Sequence, residues 1–321
     1  MGRIAVTDGM SESAISKLEK LGHEVIVSHY EKSDLENGIL SEFDAVVIRS
    51  ATKISRNVLE SLDSDTNRLK FIGRAGVGVD NIDIETATKM GIYVCNTPKA
   101  STQSVVELTL AHLFASVRHL ARADRDLRTG IWSKKELKGT ELRGKRLGLI
   151  GLGRIAKGVA DISQYLGMEI HYFDPFIDKN NQYIKHQKIE HLFDICTHIS
   201  IHCNLTNDTE GLVNLDLINR MPKLDIDGIE CGNHIVNCAR GGIINEKDAL
   251  IALNNGSLTS LALDVYEVEP SIGQDLLNHE NFHGTPHIAA STKEAQNRIG
   301  IEMVDLIDEY FRGLKPSTTL N

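Results

Sequence analysis

Short apolar runs alternate with amphipathic stretches along most of this chain, and the alternation predicts a series of strands and helices. Residues 4–7, 24–27, 44–49, 70–73 and 92–95 each form a short run rich in Val, Ile and other apolar residues. The run at 44–49 has an apolar centre without alternation, the pattern of a strand buried on both faces. Ser11 can cap a helix reaching Leu21, which Gly22 can end, and Gly91 ends a helix before the fifth run. Strands separated by helices predict a parallel sheet covered on both faces. From Ser101 to about Leu120 the pattern predicts one long helix, apolar nearly all round, packed between domains or subunits. A second alternating series opens at 146–150 and continues to about Thr285. The last stretch predicts a helix to Phe311, with Ser291 and Glu294 in a capping-box pattern.

A length of 321 residues exceeds one typical core and predicts two domains. Hydrophobic content of 41% and charged content of 25% are ordinary for a soluble globular protein. A formal charge of −9 without any basic block argues against nucleic acid as a partner. No secretory pattern precedes the first strand, and no apolar run is long enough to span a bilayer, so no membrane partner is expected. The five cysteines, Cys95, Cys196, Cys203, Cys231 and Cys238, lack CxxC spacing and read as reduced thiols of a cytoplasmic protein. Cys196, His198, His202 and Cys203 form a cluster, but on a strand the two histidines stand roughly 13 Å apart at about 3.3 Å per residue. That is too far to chelate one ion, so no metal is expected.

In parallel sheets, ligands bind beyond the carboxyl ends of the strands. In the first series this places Arg49, Ser50 and the loop 73–80 at the mouth of the sheet. In the second, GlyLeuGlyArgIleAla at 151–156 closes a strand and opens a helix. Gly151 permits a sharp turn, and Gly153 permits backbone amides to approach a pyrophosphate at the helix N-terminus. The next strand ends in Asp174, which can accept from both ribose hydroxyls and would repel a 2′-phosphate. The turn therefore points to NAD over NADP. S-adenosylmethionine, which also uses glycine-rich turns followed by an acid, is the rival ligand at this point.

Three motifs follow: AlaArgGlyGly at 239–242, GluPro at 269–270 and ThrProHis at 285–287. Each sets one ionisable side chain, Arg240, Glu269 or His287, beside a Gly or Pro and at or just after a predicted strand end. A guanidinium can grip a carboxylate through two parallel bonds, and a His backed by a carboxylate is a general acid/base held in one tautomer. Together they suggest hydride chemistry on a small hydroxy acid; an S-adenosylmethionine-dependent transferase would leave Arg240, Glu269 and His287 without a task.

The longer stretches around these motifs, 237–242, 262–270 and 285–292, with GlyIleTrp at 130–132 and the run 139–155, resemble the D-isomer-specific 2-hydroxyacid dehydrogenases over nearly the whole chain. The resemblance implies an α/β fold of two doubly wound parallel-sheet domains. A Rossmann-type NAD domain (99–291) is inserted in a discontinuous flavodoxin-like substrate domain (1–98 plus 292–321). It implies that His287 takes the substrate's hydroxyl proton, that Glu269 holds His287, and that Arg240 binds the substrate carboxylate. It also implies an NAD site made by Val77, Gly151, Gly153, Arg154, Ile155, Asp174, Thr206, Cys238, Ala239 and Asp264, the last at the nicotinamide end.

The stretches 47–53 and 73–83 are similar to the substrate loops of short-form family members that act on D-3-phosphoglycerate. By that likeness Arg49, Ser50 and Arg74 hold a phosphate, while amides around Val77 and Gly78 receive the carboxylate. The implied reaction is NAD-dependent oxidation of D-3-phosphoglycerate to 3-phosphohydroxypyruvate, the entry step of serine synthesis. The implied assembly is a homodimer in which the segment near Lys134 and Lys135 reaches a neighbour's site. A hydroxypyruvate or glyoxylate reductase is the nearest alternative, and an NAD(H)-sensing transcriptional corepressor is one of another class. The chain departs from the family pattern at Asn204, where Pro is usual, at 100–102, and at 224–230, which reads as an insertion.

Overall fold

Among the residues described by this computed structural model, 1–62, 65–178 and 181–321, the strands pair into two separate sheets, each parallel throughout. The chain divides into two compact units, Met1–Ser101 with Ala290–Asn321, and Thr102–Ala289. In the first unit β1 (Arg3–Val6), β2 (Glu24–Val27), β3 (Ala45–Ile48), β4 (Phe71–Arg74) and β5 (Tyr93–Asn96) stand in the order β2-β1-β3-β4-β5. Successive side chains on a strand point to opposite faces. Accordingly Ala5, Val46, Ile48, Ile72 and Val94 enter one core layer, and Ile4, Val6, Ala45, Val47, Phe71 and Cys95 the other. Covered on both sides, β3 buries every residue, which is why its sequence shows no alternation.

The helix Lys293–Phe311 lays Ile299, Met303, Val304 and Ile307 on the second of these layers. Its cap corrects the predicted Ser291/Glu294 box. Thr292 is the N-cap, and its hydroxyl accepts from the Ala295 amide at 3.1 Å, whereas Ser291 lies one residue too early. Ser11 is the N-cap of the helix Glu12–Lys20, but its side chain accepts from no helix amide; its hydroxyl pairs instead with that of Ser13 in the first turn, at 3.2 Å.

The second unit holds β6 (Arg146–Ile150), β7 (Glu169–Phe173), β8 (Ile184–Lys185), β9 (His198–Ile201), β10 (His234–Asn237), β11 (Ser260–Leu263) and β12 (Phe282–Gly284). Their order is β12-β11-β10-β9-β6-β7-β8, so the winding reverses beside β6 and opens a crevice at its carboxyl end. The helix Thr102–Val117 packs Val105, Val106, Leu110, Leu113 and Val117 against Ala156, Val159 and Ala160 of the helix Arg154–Tyr165 and against Leu149, Val236 and Ala262 of the sheet. It is not apolar all round, contrary to expectation: Gln103, Glu107, Ala111 and Phe114 form an exposed stripe. Ala and Phe on that stripe, and buried Ser104, Thr109 and Ser116 opposite, hide the two faces from a hydropathy reading.

The 224–230 stretch is anchored from within. Asp225 accepts the amides of Asp227 (2.9 Å) and Ile229 (2.8 Å) and pairs with Lys145, the two side chains being 2% and 5% exposed. No helix among the described residues is long and apolar enough to cross a membrane.

Candidate active site

Three loops leave the carboxyl ends of β10, β11 and β12, and they bring Arg240, Glu269 and His287 together. After β10, Asn237 ties the chain into a tight turn: its Oδ1 accepts the Ala239 amide (2.9 Å) and its Nδ2 donates to the Arg240 carbonyl (2.8 Å). The next residue must be Gly241, since a Cβ there would lie 1.7 Å from the Tyr266 carbonyl oxygen. Arg240 is half-buried, and its guanidinium donates to the Ala239 carbonyl at 2.6 Å.

After β11, the Tyr266 amide donates to Glu269 Oε1 at 3.1 Å. The other oxygen, Oε2, stands 2.8 Å from His287 Nδ1, and both side chains are 36% exposed. Burial pushes the Glu269 carboxyl up. The bond with His287, that residue's charge, the Tyr266 amide and the charge of Arg240 outweigh it and hold the group below the usual carboxylate range.

His287 sits in a left-handed backbone conformation, φ +52°, rare for a non-glycine residue. The loop that carries it is wrapped around Asp264, which is fully buried immediately after β11. Oδ1 accepts from Thr285 Oγ1 (2.6 Å) and from the Ile288 amide (2.7 Å), while Oδ2 accepts the Ala289 amide (2.8 Å). Tyr266 reaches across to donate to the Thr285 carbonyl at 3.0 Å. Sequence reading did not single out Asn237, Tyr266 or Thr285. All three stand inside the quoted stretches, and a tyrosine hydroxyl in an apolar stretch, which needs a partner when buried, was the available signal.

The proposed cofactor residues of this unit cluster at the same sheet edge. Gly151, φ +89°, makes the turn after β6. Gly153 is the N-cap of Arg154–Tyr165, and no atom lies within 4 Å of where its Cβ would be. The exposed Arg154 and half-buried Ile155 begin that helix. Open space at a glycine before a 12-residue helix is what a pyrophosphate requires. Asp174, 9% exposed, follows β7; its oxygens accept the amides of Leu152 and Phe176, both at 2.8 Å. A carboxylate oxygen accepts more than one hydrogen bond, so capacity remains for ribose hydroxyls. Thr206 lies in the loop after β9, its amide bonded to Thr209 Oγ1 at 2.8 Å. Cys238 and Ala239 follow β10; burial pushes the Cys238 thiol up to about 12, so it is an uncharged lining group. These features fit NAD.

In the first unit, Asp8 accepts the amides of Arg49 (2.6 Å) and Thr52 (3.0 Å), and Asn81 donates to the carbonyls of both residues. This cage holds the Arg49–Ser50 turn at the end of β3. Arg74 donates to Ser50 Oγ at 3.2 Å. Its guanidinium lies over Gly76, where a Cβ would meet Nη1 at 1.4 Å. Val77 and Gly78 follow in the same loop, which Asn96 ties down through the Val77 carbonyl at 2.7 Å.

The family model described as "D-isomer specific 2-hydroxyacid dehydrogenase, NAD binding domain" matches residues 110–289. The chain is 40% identical to D-3-phosphoglycerate dehydrogenase of Methanocaldococcus jannaschii, over its whole length but only 60% of that relative. It thus spans about three fifths of that protein. It is 41% identical to hydroxypyruvate reductase of Thermotoga maritima, over 95% of this chain and 97% of that one. Among solved structures, the TT0316 protein from Thermus thermophilus superposes with a TM-score of 0.89 at 28% identity, covering 99% of this chain and 100% of that one. The chain therefore belongs to the D-isomer specific 2-hydroxyacid dehydrogenase family, and its residues 110–289 match the model of that family's NAD-binding domain.

Proposed function

We propose that this protein is a cytoplasmic NAD-dependent dehydrogenase that oxidises D-3-phosphoglycerate to 3-phosphohydroxypyruvate, the entry step of serine synthesis. The observation that carries the reaction type is the His287–Glu269 pair, 2.8 Å apart beside Arg240. A carboxylate held below its usual range is ionised and only accepts, so the proton in that bond sits on His287 Nδ1. In the neutral imidazole Nε2 is then a bare acceptor, the atom suited to take a hydroxyl proton.

NAD, when bound, supplies the acceptor for the hydride that leaves the same substrate carbon. The resulting imidazolium is stabilised by Glu269, while Arg240 grips the substrate carboxylate and, in the reverse direction, polarises the carbonyl. Overall, NAD⁺ and phosphoglycerate become NADH, phosphohydroxypyruvate and a proton. In this reading Asp264 meets the nicotinamide end, Asp174 selects NAD over NADP, and Arg49, Ser50 and Arg74 receive the phosphate. Amides around Val77 and Gly78 receive the carboxylate. The Arg74–Ser50 contact beside the caged Arg49 turn supports the phosphate assignment. The active form is a homodimer in this reading, supported by exposed Leu120, Leu127, Ile131 and Trp132 on one short stretch of the NAD-binding unit, and light scattering tests it.

A hydroxypyruvate reductase is the second reading, favoured by the near full-length match to the Thermotoga maritima protein. NADH consumption with phosphohydroxypyruvate, hydroxypyruvate, glyoxylate and pyruvate side by side decides between them. Phosphohydroxypyruvate should give the highest kcat/KM. Arg49→Ala should lower that value roughly 10- to 150-fold, the equivalent of about 1.5–3 kcal/mol for a bond to a charged group, with little effect on hydroxypyruvate. Equal losses on the two substrates would reject the phosphate role.

A further inference from the structure

His112 belongs to neither the cofactor site nor the three motifs. It projects from the helix Thr102–Val117 and is buried, yet its Nε2 lies 3.0 Å from Thr285 Oγ1, across 173 residues of sequence. Thr285 has one hydroxyl proton, and Asp264 takes it at 2.6 Å. Nε2 of His112 must therefore carry a proton and donate it. Burial pushes His112 down to about 4, so the ring is neutral and this tautomer is its resting form. The result is a directed chain, His112 Nε2–H to Thr285 Oγ1–H to Asp264 Oδ1. Chains of this kind strengthen each member in a low-dielectric interior.

The far end of the chain is the carboxylate around which the 285–289 loop is wound. That loop presents His287 with φ +52°, a conformation that persists only where its surroundings over-determine it. Asp264 holds the loop on both sides of His287, through Thr285 before it and through the Ile288 and Ala289 amides after it.

We propose that His112 and Thr285 are positioning residues for His287: through Asp264 they lock the left-handed turn that sets the imidazole against Glu269. The proposal rests on the reading of His287 as proton carrier, and its test separates the two. Four variants, Thr285→Val, Thr285→Ser, His112→Leu and His112→Gln, are assayed as the full chain with NADH and hydroxypyruvate, and folding is checked by thermal melting. Thr285→Val should lower kcat roughly 10- to 100-fold, as for a displaced catalytic group, with KM for both ligands nearly unchanged. Thr285→Ser restores the hydroxyl and should return kcat to within about threefold, and His112→Gln, which keeps a donor, should retain more than His112→Leu.

The same Thr285→Val change made in a His287→Ala background should add no further loss, because the residue being positioned is gone. A full additional loss in that background, or a wild-type kcat in both Thr285→Val and His112→Leu, overturns the proposal. A His287→Ala protein with near-normal turnover overturns the underlying reading instead. Should Thr285→Val fail to fold, the His112→Leu and His112→Gln pair in the two backgrounds carries the same comparison.

Discussion

Replacing Glu269 by Gln removes one negative charge from beside His287 and leaves an amide of nearly the same shape. Opposite unit charges about 4 Å apart attract by ~4 kcal/mol at an effective dielectric of 20 and by ~1 kcal/mol in water. With both side chains 36% exposed, solvent screening places the pair between those limits, at about 2–3 kcal/mol. That stabilisation is felt when His287 has taken the proton, so it appears in the chemical step. At 1.4 kcal/mol per decade, kcat should fall roughly 30- to 150-fold, while KM for NAD⁺ stays within about twofold. The assay is steady-state turnover in the direction of hydroxy acid oxidation. A loss below about threefold would refute the charge-stabilising role of Glu269.

Three further outcomes are expected. Arg240→Lys keeps the charge but loses the planar fork, and should reduce kcat/KM for the hydroxy acid about 10- to 100-fold, seen in initial-rate kinetics; a near-normal value would remove the two-pronged grip. Asp174→Asn should weaken use of NADH about 10-fold or more while leaving NADPH use unchanged or improved, and an unchanged coenzyme ratio in parallel assays would count against the ribose assignment. Asp225→Ala strands the buried Lys145 and should cost about 3–5 kcal/mol, a fall in Tm of roughly 6–20 °C for the NAD-binding unit by calorimetry. Burial raises the Asp225 carboxyl, but the bond to Lys145 and the amides of Ile229 and Asp227 hold it below its ordinary value. The stability it contributes is thus present above the unfolded carboxyl value of about 4 and is lost as pH falls through the lower folded value. A melting curve insensitive to both the substitution and acid would show that Asp225 anchors nothing.

Much of the candidate site is legible in the sequence because its parts are backbone-dependent. A glycine turn between strand and helix, an acid closing the next strand, and Arg, Glu and His each beside Gly or Pro are local signals, and a parallel-sheet architecture makes strand ends the place to look for a candidate site. Harder to read were the residues that act across elements. Asn237 looks like any strand-ending amide, and Thr285 like any residue before a proline. His112 lies in a helix whose composition suggested only core. Their roles appear once β10, β11, β12 and the helix Thr102–Val117 are side by side, since a hydrogen bond of 3.0 Å between residues 173 apart depends on which faces pack.

By itself the sequence determined the order of strands and helices, the two parallel sheets and the place of the glycine turn, because side-chain periodicity and the conformational limits of Gly and Pro are properties of short segments. Tertiary structure alone decided which hydroxyl caps the last helix, which face of the helix Thr102–Val117 meets solvent, that Asp225 pins the 224–230 stretch to Lys145, and that Asp264 anchors the loop of His287. Each of these is settled by desolvation: a buried polar group must find its partner wherever the fold has put one, and that address is not written near it in the chain.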